Sequence, residues 1–195
     1  LLSDFTSSPL YVFRDDNQNV YGRNLTKLLP NAPFQLTKNC RNSSEIHSIA
    51  YARYEGSTIA AGPESGIPVK RFLAPTFHKQ SEIIVEQIRN LLKDPGLLPG
   101  QITVLISTQF NSENMKRTLA EHRISKSIPW TANVQHKSNE ILIETVKRFK
   151  GLESSIVLLW IDDANENDVI NEELYIGASR ARSNLFLIST RALDI

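Results

Sequence analysis

Two arginines near the end of the chain stand among small residues, in the segment Leu174-Tyr175-Ile176-Gly177-Ala178-Ser179-Arg180-Ala181-Arg182-Ser183. The segment precedes an apolar run at 185–188 and is predicted to be helical. An arginine on a rigid helix can be aimed across a cleft at a developing phosphoryl charge, in the manner of an arginine finger. The competing interpretation is that both arginines only complement the carboxyl end of the helix dipole.

A basic loop containing a glycine and an acid follows the apolar run at 141–146. It reads Thr145-Val146-Lys147-Arg148-Phe149-Lys150-Gly151-Leu152-Glu153. Glycine allows close backbone approach, lysine and arginine contact phosphates, and a carboxylate accepts hydrogen bonds from ribose hydroxyls. A solvated charged turn explains the composition equally well, so this segment alone leaves both interpretations open.

Two further segments place polar side chains after strand-like runs. An alternating run at 34–37 leads to Arg41, just before a helix that Ser43 or Ser44 would cap. Free helix N-terminal amides and an arginine together suit a phosphate, although an exposed arginine is the simpler interpretation. Earlier, an apolar run at 10–13 becomes a polar run that contains Gln18 and is followed by Tyr21. That segment alone favours an Asx-rich turn.

The elements that would position these residues alternate between short apolar runs and helical periodicity. Strands are predicted at 69–73, 102–106, 141–146, 156–161 and 185–188, and helices at 43–54, 81–93, 112–122 and 171–182. Near-continuous apolar runs are typical of strands covered on both faces. The alternation therefore predicts an α/β fold, a mainly parallel sheet with helices on both faces. Ligands of such sheets collect at the carboxyl ends of strands.

Composition limits the class of protein without indicating a partner. The 195 residues are 41% hydrophobic and 22% charged, which suits one globular domain. The net charge is +1, so any nucleic-acid surface must be a local patch. Cys40 is the single cysteine and the four histidines lack zinc-ligand spacing, so we expect neither an internal disulfide nor a metal. No apolar run approaches a membrane span or a signal peptide, which favours a reducing, cytoplasmic location.

Taken in order, the four polar segments resemble motifs III to VI of superfamily 1 helicases of the UvrD/Rep type, which read approximately GDxxQxIY, NYRS, TxHxxKGLE and LYVAxSRA. Residues 15–21, 39–43, 145–153 and 175–181 are similar to these motifs in turn. The specific part is KGLE followed by YIGASRAR, and the resemblance spans residues 10–189. The sequence departs from the family at Cys40, where a tyrosine is usual, and at Lys147, where a histidine is usual.

The resemblance implies a RecA-like fold and a nucleotide-facing set of residues. Gln18 and Arg41 would sense the γ-phosphate, and Arg180 would stabilise charge in the transition state. Gly151 and Glu153 would complete the nucleotide site, with Glu153 on the ribose.

A second set of residues, Tyr21, Thr145 and Lys147, would by the same resemblance contact single-stranded nucleic acid, DNA or RNA. Tyr21 would stack on a base, an interaction worth on the order of 1 to 3 kcal/mol.

The resemblance also implies a division of labour between two domains. Residues 1–195 would be the second RecA-like motor domain, with 1–25 including the end of the first-domain motif III region. Neither GxxxxGK[ST] nor a DExx box occurs in the chain. ATP and Mg²⁺ would therefore be held mainly by an N-terminal RecA-like domain of the same protein. The full-length protein would be an ATP-dependent helicase, and this chain alone would not hydrolyse ATP.

The alternative from another class is a helicase-derived module that binds nucleic acid or protein without moving along a strand. The motor interpretation makes a structural prediction: Arg180 should be partly exposed near Arg41 and Gln18, on a helix that also carries Arg182. Replacing Arg180 by alanine should then abolish hydrolysis with little change in melting temperature, and Arg182 should tolerate the change better.

Overall fold

A computed structural model describes residues 34, 36–52, 54, 58–107, 111–162 and 167–193, the last range from its backbone only over 167–169. Within these residues the elements, in chain order, are α1 (Ser44–Ala50), β1 (Lys70–Leu73), α2 (Phe77–Leu91), β2 (Ile102–Ile106), α3 (Ser112–Ala120), β3 (Trp130–Thr131), β4 (Ile141–Thr145), β5 (Ser154–Trp160), α4 (Asn167–Ala178) and β6 (Ala181–Ser189). A 3₁₀ turn, Pro99–Gln101, leads into β2.

The described strands form one sheet in the order β1-β6-β5-β2-β4-β3, and every pairing in it is parallel. The register places Thr145 and Trp160 beside Ile106, and these residues define the carboxyl edge of the sheet. Ser154 lies beside Ala181 where β5 and β6 begin, and this pair defines the amino edge. The predicted parallel α/β sheet is confirmed, and the arrangement is consistent with a RecA-like fold.

Helices cover both faces of the sheet because alternate residues of the central strands point in opposite directions. Leu105 and Leu159 pack with α1 and α4 in one core, whereas Val104 and Leu158 pack with α2 and α3 in the other. All five residues of β2 are buried. The near-continuous apolar runs of the sequence are therefore the centre of a three-layer structure, as predicted.

Several predicted boundaries differ from the structure. α2 begins at Phe77, four residues before the predicted start, because the Thr76 side chain caps it. α1 ends at Ala50 rather than 54. The predicted strand at 34–37 is replaced, in the described part of that region, by a single bridge between Lys38 and Ala60. β3 was not predicted, since two residues carry no periodicity. The predicted strand at 10–13 lies outside the described residues.

The boundary with most consequence is the end of α4. The helix was predicted to reach Arg182, but it ends at Ala178, and β6 begins at Ala181. The Ser154 amide donates to the Arg180 carbonyl at 3.0 Å, so pairing with β5 draws this backbone out of the helix. Arg180 consequently occupies a two-residue turn between α4 and β6, rather than the rigid helix that the sequence predicted.

Among the described residues, none of the helices combines the length and apolar character that crossing a bilayer demands.

Candidate nucleotide and strand-binding sites

Three of the predicted nucleotide-binding residues converge at the amino edge of the sheet. Arg41 precedes α1, Glu153 precedes β5, and Arg180 precedes β6. The Arg41 Nε lies 3.6 Å from a Glu153 carboxylate oxygen, with side chains 50% and 43% exposed. The Arg180 Nη1 approaches the carbonyl of the neighbouring Leu152 at 3.5 Å. Residues from the three segments that resemble motifs IV, V and VI therefore form one cluster, which we call the amino-edge cluster.

An Asx turn presents Arg41 to solvent. The Asn39 Oδ1 accepts the backbone amides of Arg41 at 2.9 Å and Asn42 at 3.3 Å. Its Nδ2 donates to Asn42 Oδ1 at 2.8 Å and reaches His47 Nδ1 at 3.2 Å. Because that amide nitrogen can only donate, His47 Nδ1 acts as the acceptor, and burial lowers the pKa of His47 in keeping with a neutral ring. This buried network fixes the backbone from which the Arg41 side chain projects.

Asn42 joins the amino-edge cluster, and sequence reasoning missed it. Its Nδ2 donates to the carbonyls of Ser179 at 3.2 Å and Ala181 at 2.6 Å, on either side of Arg180. These bonds cross 137 and 139 residues of sequence, so they tie the segment before α1 to the turn between α4 and β6. The one available signal was a second amide beside Arg41, which by itself is not specific.

Arg180 is 3% exposed, so the prediction that it is partly exposed is wrong. Its Nε donates to the Ile176 carbonyl at 3.0 Å, and its Nη2 donates to Ser179 Oγ at 2.9 Å. Together with the contact to the Leu152 carbonyl, these acceptors hold the guanidinium against the end of α4. The physical reason is local: the turn after Ala178 exposes carbonyls that an adjacent guanidinium can satisfy. The predicted proximity to Arg41 is retained through Asn42 and the 152–153 segment.

The amides at the start of α1 are not free, so they do not support the phosphate-binding interpretation of this segment, which the sequence had left open beside a simply exposed arginine. Ser44 donates its amide to the Glu64 carbonyl at 3.0 Å, and Ser43 caps the helix. Glu45 accepts the Gly66 amide at 2.6 Å and the Ser65 hydroxyl at 2.9 Å. Hydrogen bonds from its own amide, Gly66 and Ser65 lower the pKa of Glu45 to about 2. Acceptors of the chain itself, namely the Glu64 carbonyl, the Ser43 hydroxyl and the Glu45 carboxylate, therefore occupy the amides at the start of α1.

The predicted strand-binding residues Thr145 and Lys147 lie at the carboxyl edge, where β4 ends. Thr145 is 9% exposed, and its hydroxyl accepts the Arg148 amide at 3.4 Å. Lys147 is half-buried in the turn that follows. Below it the Glu144 side chain is buried, with Lys116 Nζ at 3.8 Å and Arg148 Nε at 3.5 Å. The buried Glu144 carboxylate thus forms ion pairs with a lysine of α3 and with an arginine of the turn.

The segment 145–153, which resembles motif V, extends from one edge of the sheet to the other. β5 has seven residues, so Thr145 and Glu153 stand roughly 20 Å apart along the strand direction. The candidate nucleotide residues accordingly lie at the amino edge, opposite the edge at which a ligand was predicted. Gly151 lies in the crossover between them with φ +87°. Gln18 and Tyr21, the predicted motif III residues, lie outside the described residues.

Within the part of the chain that the structure describes, no group of three or more His, Cys, Asp or Glu side chains is arranged to hold a metal ion.

Comparison with known proteins finds a structural likeness and no family. A search of protein-family models returns no match. The C-terminal domain of a possible DNA helicase from Lactobacillus plantarum WCFS1 superposes with a TM-score of 0.61 at 15% sequence identity. The match covers 78% of this chain and 88% of that chain. At this identity the likeness concerns the fold.

Proposed function

We propose that this chain is the second RecA-like domain of an ATP-dependent helicase or translocase of the UvrD/Rep type. In this proposal the amino-edge cluster closes over ATP and Mg²⁺ held by another RecA-like domain. The carboxyl edge, through Thr145 and Lys147, contacts single-stranded nucleic acid. Gln18 completes the nucleotide site, and Tyr21 completes the strand site.

The observation that carries the proposal is the convergence of Arg41, Glu153 and Arg180 at one edge. Three segments widely separated in the sequence meet there, and each supplies the residue that the family resemblance selects. A chance match of short motifs would not require their functional positions to be neighbours in space. The direct clamp from Asn42 to both sides of Arg180 strengthens this argument.

The exposed pair of the amino-edge cluster has the chemistry to hold a nucleotide. A guanidinium binds phosphate oxygens in a bidentate manner, and a carboxylate accepts hydrogen bonds from ribose hydroxyls. The Arg41–Glu153 ion pair is half-exposed, and such pairs contribute only about 0 to 1 kcal/mol. A nucleotide can therefore separate the pair at little cost. Bound ATP and Mg²⁺ would supply the phosphoryl chemistry, and Gly151 gives the loop before Glu153 its shape.

Arg180 has two distinguishable roles from its buried position. In the motor, its guanidinium leaves the carbonyls of Ile176 and Leu152 when the domains close and contacts the transferred phosphoryl group. In the alternative, a non-motor interaction module, it stays buried and only positions the 152–153 segment. Its 3% exposure is the observation that favours the alternative.

Turnover by the intact parent protein separates these roles. Lysine keeps the charge of Arg180 but cannot reproduce its planar fork of donors. In the motor, Arg180→Lys should reduce strand-stimulated ATP hydrolysis about 10³-fold or more while most molecules remain folded. Arg182→Ala, an exposed neighbour, is the matched control and should hydrolyse ATP normally. Normal turnover by folded Arg180→Lys would refute the finger role.

The strand contact has an independent test. Lys147→Ala should weaken single-strand binding and lower its salt slope by about 0.7, the contribution of one phosphate. Lys93→Ala, an exposed lysine after α2, is the control and should retain the original slope. Equal slopes for Lys147→Ala and Lys93→Ala would remove Lys147 from the strand site.

A further inference from the structure

A groove at the β3 side of the sheet is outside the amino-edge cluster and the Thr145–Lys147 turn. It has a volume of about 370 Å³, within the usual range for ligand pockets. It is lined by the end of α3 and the loop that leads into β3, namely Ala120, His122, Arg123, Ser125, Lys126, Ile128, Pro129 and Trp130. We call this surface the β3 groove.

The lining of the β3 groove combines positive charge with an aromatic ring. The chain as a whole has 22 lysines and arginines against 21 acids, so its charges nearly cancel. The lining residues, all of them described, include Arg123 and Lys126 and a histidine but no acid. Trp130 is half-buried beside them. An anion with a flat apolar part would therefore be complementary to this surface.

The groove is held in shape by hydrogen bonds that leave its charged groups available. Arg89 on α2 donates from Nε to the Ile124 carbonyl at 3.2 Å and from Nη2 to the Arg123 carbonyl at 2.5 Å. The Trp130 Nε1 donates to the His122 carbonyl at 2.9 Å, which fixes the indole in the wall. These bonds use backbone carbonyls and the indole N–H, so the charged ends of Arg123 and Lys126 are not consumed by them.

The tip of the loop is equally ordered. Ser125 and Ile128 form an antiparallel bridge, and Ser125 Oγ accepts the Ser127 amide at 3.3 Å. Lys126 therefore sits on a tight turn rather than on an unstructured loop. Preformed geometry of this kind reduces the entropy lost when a ligand binds.

We propose that the β3 groove binds one nucleotide of a single-stranded nucleic acid, with the base stacked on Trp130 and the backbone phosphate contacted by Arg123 and Lys126. Sequence-tolerant strand binding uses this combination of aromatic stacking and basic contacts. Trp130 is paired with Ile141, which is four residues before Thr145 and so about 13 Å from it along β4. The choice of a strand as occupant rests on the proposed function, and the groove would add a second contact to the Thr145–Lys147 turn.

The two tryptophans make the test direct. Trp160 is fully buried, with its indole N–H on Gln80, whereas Trp130 lines the groove. Titrating the chain with oligothymidylate should quench Trp130 fluorescence, and Trp130→Phe should abolish that quenching. Trp130→Ala should weaken binding about 5- to 150-fold, the loss that corresponds to one stacked base.

Charge variants keep the proposal testable if Trp130 variants fail to fold. The double variant Arg123→Ala with Lys126→Ala changes exposed side chains and should lower the salt slope of binding by about 1.4. Arg71→Ala with Lys93→Ala removes two exposed charges outside the groove, with Arg71 on the strand at the opposite end of the sheet. This matched control should bind like the original chain.

Four results would overturn the proposal. The first is saturation with oligothymidylate without quenching, and the second is equal loss of affinity in both double variants. The third is equal quenching and competition by polyglutamate, which would indicate an acidic protein partner. A different measurement, ATP hydrolysis by Arg180→Lys, detects failure of the motor proposal. Loss of binding in Lys147→Ala but not in the groove double variant would reject the groove and retain the strand contact.

Discussion

Replacing Arg180 by alanine should lower the free energy of unfolding of the chain. An arginine that contacted only a phosphate on another domain could be replaced without such a loss of stability. The guanidinium is buried and donates to the Ile176 carbonyl and the Ser179 hydroxyl, with a longer contact to the Leu152 carbonyl. Hydrogen bonds from a charged donor contribute about 1.5 to 3 kcal/mol, and their loss leaves buried acceptors unsatisfied. We expect a net loss of about 2 to 4 kcal/mol, because alanine also leaves a cavity.

For a domain of 150 to 250 residues, each kcal/mol of lost stability lowers the midpoint temperature of thermal unfolding by about 2 to 4 °C. The midpoint of Arg180→Ala should therefore fall by roughly 5 to 15 °C. Thermal and urea unfolding of the chain, followed by circular dichroism, measure this shift. Arg182→Ala is the matched control because its side chain is exposed, and it should change stability by less than about 0.5 kcal/mol.

A midpoint for Arg180→Ala equal to that of Arg182→Ala would refute the reasoning that these bonds matter to the fold. It would also restore the sequence-based expectation of an arginine that contributes to turnover and not to stability. Arg180→Lys should fall between the two, since one ammonium cannot serve acceptors on both sides of the turn.

Two further outcomes follow from contacts elsewhere in the structure. The pKa of Glu45 in the folded chain is about 2, below the ordinary 4.5. Its contribution to stability is therefore complete above pH 4.5 and is lost as pH falls toward 2. Glu45→Gln should lack this acid-dependent loss when the midpoint of thermal unfolding is measured from pH 6 to 2.5. A methyl group at Gly177 would stand 2.7 Å from Leu159 Cδ1 in the core, so Gly177→Ala should lose about 1 to 2 kcal/mol despite its higher helix propensity. Adding Leu159→Val should recover part of that loss in urea unfolding, and no recovery would contradict the steric explanation.

The sequence predicted the strands better than the segments between them. The strand at 102–106 has the predicted bounds because a continuous apolar run can be stable only between two helical layers. The end of α4 was misplaced because helical propensity at 179–182 competes with pairing to β5, and pairing depends on a strand more than 20 residues away. Local pattern carries no information about that competition.

The candidate site shows the same division between local and distant causes. The family resemblance selected Arg41, Glu153 and Arg180, and the structure places them together. The burial of Arg180 could not be predicted, since it follows from the turn after Ala178, and the pairing with β5 decides where that turn lies. Nor could the role of Asn42, whose acceptors lie at the far end of the chain. The β3 groove was not predicted either, because its arginine and lysine form no pattern in the sequence and only the fold places them beside Trp130.

The short crossover between β4 and β5 connects the two edges, so a change within it should affect the amino edge, where we propose that the nucleotide binds. Gly151 has φ +87°, a conformation that side chains rarely adopt, and a methyl group added there would meet no atom within 4 Å. Gly151→Ala should therefore cost about 1 kcal/mol from backbone strain alone, without a steric clash. Asparagine tolerates positive φ better than alanine, so Gly151→Asn should be closer to the original chain.

If the crossover sets the position of Glu153, the proposed function predicts that the two substitutions also rank in the same order for ATP hydrolysis by the full-length helicase that we propose. Strain in Gly151→Ala can be relieved only by rotating the backbone, which would displace the following carboxylate from Arg41. Urea unfolding measures the stability order, and ATP hydrolysis at limiting ATP measures the positional effect. Equal stability of the alanine and asparagine variants would show that strain at this glycine is not the controlling factor. A loss of stability without a change in KM would separate the crossover from the nucleotide site.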